Sequence, residues 1–146
     1  MKIKISQNEN ILETEVNIQY PSKCDQETYD LLRYLEKDRK IIFGLRNDRK
    51  YRISLYDVYY IEYVDEKTFL YLESDVYLSH NKLYEWEELL KDTSFVRISK
   101  TTIVNIDYLK FVRPLLGGKM EITFINDESL VVNRHYLKSF KNKFGL

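Results

Sequence analysis

Phe95-Val96-Arg97-Ile98-Ser99-Lys100-Thr101-Thr102-Ile103-Val104-Asn105 decides how the rest of the chain is read. Val96 and Ile98 stand two apart, and Val104 follows beyond a polar run, which is the alternation of a half-buried strand. Arg97, Ser99, Lys100, Thr101 and Thr102 put hydroxyls and cations on neighbouring positions. Such groups bind anions, so the wet end of the expected strand suits phosphate. Val131-Val132-Asn133-Arg134-His135-Tyr136-Leu137 repeats the design, an apolar strand running into polar and basic residues and then into a helical pattern. Two such clusters in one small domain point to a nucleic-acid reader.

The formal net charge is zero, which taken alone argues against a polyanionic partner. The average conceals an asymmetry. Residues 1–40 carry 7 basic and 8 acidic side chains, residues 41–94 carry 7 and 11, and residues 95–146 carry 9 and 4, so the segments stand at −1, −4 and +5. A phosphate grip needs only a local basic face, because fields decay over about 8–10 Å at moderate salt. With 146 residues, 44% of them hydrophobic, the chain is globular and long enough for one good core. The 13 Tyr and 7 Phe against 4 Gly and 2 Pro favour strands and tight turns.

A lone cysteine, Cys24, forms no internal disulfide, and no Cys/His spacing fits a zinc site. The N-terminus alternates too strictly for a signal-peptide core, and no apolar run reaches the roughly 18 residues that a membrane helix needs. A cytoplasmic chain is expected.

Lys2–Ser6 and Glu15–Tyr20 alternate as strands should, and from Asp25, a plausible N-cap, Tyr29, Leu31, Leu32 and Leu35 form a helical stripe. Residues 1–40 thus read as a β-β-α accessory or dimerisation segment, with charged Lys37–Lys40 as the boundary to a main domain over 41–146. In that domain Ile41–Leu45 and Tyr51–Leu55 read as a hairpin, Val58–Val64 and Thr68–Leu72 as a second joined by Asp65-Glu66-Lys67, and Val76–Leu78 as another strand. Asn81 is placed to cap a helix with Leu83, Trp86, Leu89 and Leu90 inward. Leu109–Arg113, Glu121–Ile125 and Leu130–Val132 add strands, and Leu137, Phe140 and Phe144 mark a last helix. The fold class is mainly β with α: small antiparallel sheets, one inserted helix and one C-terminal helix.

No nucleophile elbow, phosphate loop, dinucleotide fingerprint or metal motif appears, so neither enzyme activity nor a cofactor is expected. His80 and His135 flank expected helix starts, where hydrogen bonding or phosphate contact suits them better than general-base work. Asn105, closing an apolar strand, reads as a structural cap. Arg134 is placed to bond a guanine with both arms of its guanidinium.

Residues 41–146 resemble the LytTR DNA-binding domain of bacterial transcription factors. The likeness rests on Tyr60-Ile61-Glu62, Lys67-Thr68-Phe69, the Leu83–Leu90 helix, Phe95–Thr101 followed by Ile103-Val104-Asn105, and Val132-Asn133-Arg134-His135-Tyr136. It implies an elongated set of small sheets whose loops, rather than a recognition helix, enter major grooves of double-stranded DNA. Carried over by position, it makes Lys67, Lys100 and Arg134 base-facing and Arg97, Ser99, Thr101, Asn133 and His135 phosphate contacts. It also implies a stand-alone regulator without a phosphorylated receiver, and an inhibitory membrane protein as a possible partner. A homodimer on repeated half-sites is expected, because one small domain touches few bases. The competing reading is a protein-interaction module that docks a regulatory or membrane partner without binding DNA, favoured by the neutral charge and the acidic middle third.

Overall fold

The computed structural model describes residues 4, 9–10, 17–23, 25–36 and 40–146, and divides the chain into two compact units, Met1–Asp38 and Arg39–Leu146. In the first, α1 spans Gln26–Glu36. Asp25 starts it, its carboxylate accepting the Thr28 backbone N–H at 2.8 Å, which satisfies one of the unpaired donors of the first turn. Thr28, through its side-chain hydroxyl first and this backbone N–H second, lowers the Asp25 pKa. Residues 17–20 carry no strand, and of the other residues in the two expected N-terminal strands only Lys4 lies within the described residues.

The second unit is built on two antiparallel sheets. The strands are β1 (Ile41–Arg46), β2 (Arg49–Ser54), β3 (Tyr60–Val64), β4 (Lys67–Tyr71), β5 (Val76–Ser79), β6 (Phe95–Arg97), β7 (Thr102–Asn105), β8 (Leu109–Leu115), β9 (Lys119–Phe124) and β10 (Ser129–Val132); the helices are α2 (Leu83–Leu89) and α3 (Leu137–Phe144). Seven strands run in the order β2-β1-β5-β4-β3-β7-β6 and three in the order β10-β9-β8.

Alternation along the central strands explains how the layers stack. Ile61, Ile103 and Phe95 join one buried cluster with Leu83, Trp86 and Leu90 of the α2 region, whereas their neighbours Tyr60, Val104 and Val96 join another with Ile122, Phe124, Val132 and Phe140. Successive strand residues point to opposite faces. The large sheet is therefore covered by α2 on one face and by the small sheet and α3 on the other, and β7, buried at every position, has no solvent face.

The structure amends several local expectations. Phe95–Asn105 is not one strand but a hairpin, with Phe95 paired to Asn105, Val96 to Val104 and Arg97 to Ile103. The β3–β4 turn is two residues long, Asp65 and Glu66 with φ of 48° and 64°, the left-handed pair that suits the twist of a hairpin. Lys67 is consequently the first residue of β4, opposite Val64. Lys82, not Asn81, precedes α2 as its cap position, with no side-chain bond to the helix. Asn81 instead gives its backbone N–H to the Ser79 hydroxyl at 3.1 Å, and that hydroxyl also accepts the Trp86 indole N–H at 2.9 Å. Asn105 is structural as expected. Its carboxamide donates to the Val58 carbonyl and accepts the Asp107 backbone N–H, each at 3.1 Å, and the residue is 1% exposed.

Candidate nucleic-acid interface

Strand register brings the polar clusters to one end of the domain. β4 and β7 both pair with β3, so their first residues flank the end of β3. The Tyr63 backbone N–H donates to the Thr101 carbonyl at 2.8 Å, and Val64 faces Lys67. With strands about 4.8 Å apart, the β6–β7 loop (residues 98–101) and the start of β4 lie roughly 10 Å from each other across β3. The third segment comes from the other sheet. Asn133, just past β10, donates its backbone N–H to the Ile98 carbonyl at 2.9 Å. Lys67, Lys100 and the Asn133-Arg134-His135 run therefore stand on three segments at a common edge, beside which His80 also follows β5.

The β6–β7 loop owes its shape to side chains, since it holds neither Gly nor Pro. The Arg97 Nε donates to the Ser99 carbonyl at 2.9 Å, its Nη2 to the Lys100 carbonyl and its Nη1 to a Glu87 carboxylate oxygen. The Ser99 hydroxyl accepts the Thr101 backbone N–H at 3.1 Å and lies 3.3 Å from the Thr101 hydroxyl. Arg97 is thus engaged with its own chain at every nitrogen of the guanidinium, while its neutralised partner Glu87 would otherwise present a negative charge beside the cluster. Ser99 and Thr101 hold each other at the surface. Lys67, Lys100, Asn133, Arg134 and His135 are exposed, and among the described residues no ion pair occupies Lys67, Lys100, Arg134 or His135. The charges of Lys67, Lys100 and Arg134 face solvent. No group of His, Cys, Asp and Glu among the described residues is arranged to hold a metal ion, and no described helix is long and apolar enough to cross a membrane.

Sequence reading did not place one neighbour of this cluster. The turn Leu116-Gly117-Gly118 between β8 and β9 reaches the same end, because Met120 pairs with Val132 and Lys119 with Leu115. Gly118 abuts the aliphatic stem of Arg134. The Gly-Gly pair signals a turn, but its destination depends on the pairing of β9 with β10.

These features agree with the comparisons to known proteins. The solved LytTr DNA-binding domain from Bacillus cereus superposes with a TM-score of 0.69 at 25% identity, covering 73% of this chain and 97% of that one. The sensory transduction protein LytT of Enterococcus faecalis is 25% identical over 99 residues, 68% of this chain but 41% of that protein. An uncharacterized HTH-type transcriptional regulator of Staphylococcus aureus (strain NCTC 8325) is 24% identical over 148 residues, 100% of this chain and 99% of that protein. The chain thus spans less than half the length of the LytT relative, yet nearly all of the latter. α2 lies between β5 and β6, and α3 follows β10, so the Arg39–Leu146 unit does not carry its helices as a consecutive pair. The family model described as "LytTr DNA-binding domain" matches residues 48–145, from the β1–β2 turn to the end of α3, and the chain belongs to the LytTR family of DNA-binding domains.

Proposed function

We propose that this chain is a bacterial transcriptional regulator that recognises specific double-stranded DNA through its loops, as a homodimer on repeated half-sites in the cytoplasm. The observation that carries the reading is the meeting of three segments, bearing Lys67, Lys100 and Arg134, at one end of a LytTR domain. Loops of this size fit a major groove about 12 Å wide. In this reading Arg134 bonds a guanine edge with both arms, and Lys67 and Lys100 reach neighbouring bases. Ser99, Thr101, Asn133 and His135 contact phosphates, while Arg97 holds the β6–β7 loop in shape for them. The segment over residues 1–40 serves as the accessory or dimerisation element, and no catalytic step or cofactor enters.

The test is a titration on fragments of the chain's own promoter against scrambled duplex at two salt concentrations, with the wild type and Arg134→Ala. Binding should be promoter-selective and fall steeply with salt. Arg134→Ala should weaken the cognate complex by roughly tenfold to a hundredfold and relax selectivity at one base pair. Equal loss on all DNA would make Arg134 a phosphate contact, and no selectivity at either salt would favour a protein-interaction module instead. Light scattering of the saturated complex checks the dimer; one copy per duplex refutes it.

A further inference from the structure

We infer that Gly118 is the seat of Arg134: by having no side chain, it sets where the guanidinium of the base-reading arginine stands, and so acts as a positioning residue for specificity. A Cβ on Gly118 would stand 3.1 Å from both Cγ and Cδ of Arg134, and 3.9 Å from its Cβ. Those methylenes are the middle of the side chain, with the guanidinium beyond them. An added methyl group therefore has two resolutions. The turn backs away from β10, or the arginine stem moves to another rotamer. The second carries the guanidinium with it, the first removes the backbone that the arginine stem rests against, and a bidentate bond to a base edge tolerates little displacement or loosening.

Neighbouring Gly117 supplies the control within the same turn. Its φ is +79° and that of Gly118 +70°, so alanine at either position adopts the same disfavoured left-handed backbone. Yet a Cβ at Gly117 meets nothing within 4 Å. Backbone strain is common to both substitutions, and only the contact with Arg134 distinguishes them. The inference rests on the DNA-reading function proposed above, and it adds that the second sheet, through its β8–β9 turn, takes part in choosing the sequence.

The experiment uses the full chain and a duplex selected by the wild type from a random-sequence pool. Binding to that duplex and to its single-base-pair variants is measured for Gly117→Ala, Gly118→Ala, Arg134→Ala and the double variant Gly118→Ala/Arg134→Ala. Gly118→Asn is added because asparagine tolerates the left-handed region better while still carrying a Cβ. The expected result is that Gly118→Ala and Gly118→Asn lose discrimination, about threefold or more, at the same base pair as Arg134→Ala. Gly117→Ala should keep it, with a thermal midpoint lowered as much as that of Gly118→Ala. The double variant should discriminate no worse than Arg134→Ala alone, since the seat has nothing left to position. If Arg134→Ala loses discrimination while Gly118→Ala matches Gly117→Ala, the seat is refuted and the reading of bases by Arg134 stands. If Arg134→Ala loses none, or the pool yields no enriched duplex, the base-reading role falls and takes the seat with it.

Discussion

Replacing Arg97 tests whether this cation touches DNA or builds the loop that does. Its guanidinium bonds the Ser99 and Lys100 carbonyls and the Glu87 carboxylate, so Arg97→Ala frees two loop carbonyls and one acid. A hydrogen bond from a charged donor contributes about 1.5–3 kcal/mol when well buried, and an exposed ion pair about 0–1 kcal/mol. The side chains of Arg97 and Glu87 are 23% and 49% exposed, and water will replace much of what is lost. The net cost should be about 1–2 kcal/mol, which lowers a thermal midpoint by roughly 4–8 °C per kcal/mol in a domain of this size. Arg97→Lys should do nearly as badly, because one ammonium cannot span two carbonyls and a carboxylate as a planar fork does. Specific DNA binding should weaken through disorder of residues 98–101, while the slope of log affinity against log salt stays near the wild-type value. Thermal melting and titrations at several salt concentrations read both quantities. A wild-type midpoint in Arg97→Ala, with a salt slope reduced by about one and rescue by Arg97→Lys, would refute the clamp and make Arg97 a phosphate contact.

Other expected outcomes concern the frame behind the loops. Asn105→Ala leaves the Val58 carbonyl and the Asp107 N–H without their buried partner and should cost about 2–5 kcal/mol. Urea unfolding with a lowered midpoint and unchanged slope would agree, and an unchanged midpoint would mean that water enters the site. Gly44→Ala would bring a Cβ to 2.5 Å from the Tyr77 Cβ and 2.7 Å from Ile53 Cδ1, and overpacking of this kind costs about 1–3 kcal/mol or more. A stable Gly44→Ala domain would show that β1 and β5 separate readily where only Leu45 and Leu78 pair. At high pH the domain should weaken. Burial, reinforced by the Glu128 carboxylate, raises the Tyr60 pKa well above 10.0, and burial with nearby carboxylates raises Tyr71 and Tyr59 too. These phenols favour folding fully below their unfolded value of about 10, and the contribution is lost as pH rises from there toward their folded values. Urea midpoints should fall across that range and fall less in Tyr60→Phe; a parallel decline in both proteins would contradict the assignment.

Where sequence marked a structure, the marks were local. Alternation in Ile41–Leu45 and Thr68–Leu72 announced hairpins, and the Leu83–Leu90 stripe announced a helix with Trp86 inward, because two-residue and helical periods are written in neighbouring side chains. The break at Ile98–Thr101 was hidden because no Gly, Pro or Asn marks it; the turn is held by Arg97 reaching forward two and three residues and by the Ser99 hydroxyl. Lys67 could be assigned to a turn only by not knowing that Asp65 and Glu66 both accept positive φ. The candidate site residues were legible as types, but their placement at one edge was not. That Lys67 stands near Lys100 follows from β3 lying between β4 and β7, and that Arg134 joins them follows from one backbone bond between sheets. Neither fact has a signature within any short window of residues.

That bond, from the Asn133 N–H to the Ile98 carbonyl, bears on how such a domain can change its target. It is made by main chain alone, and every amino acid except proline offers the donor. Position 133 is therefore free to vary its side chain without loosening the joint between the two sheets. In the DNA-reading function proposed above, mutation there alters what is touched while leaving the neighbouring Arg134 where it was. New operators become reachable by single steps that keep the architecture, with proline as the one substitution that severs it.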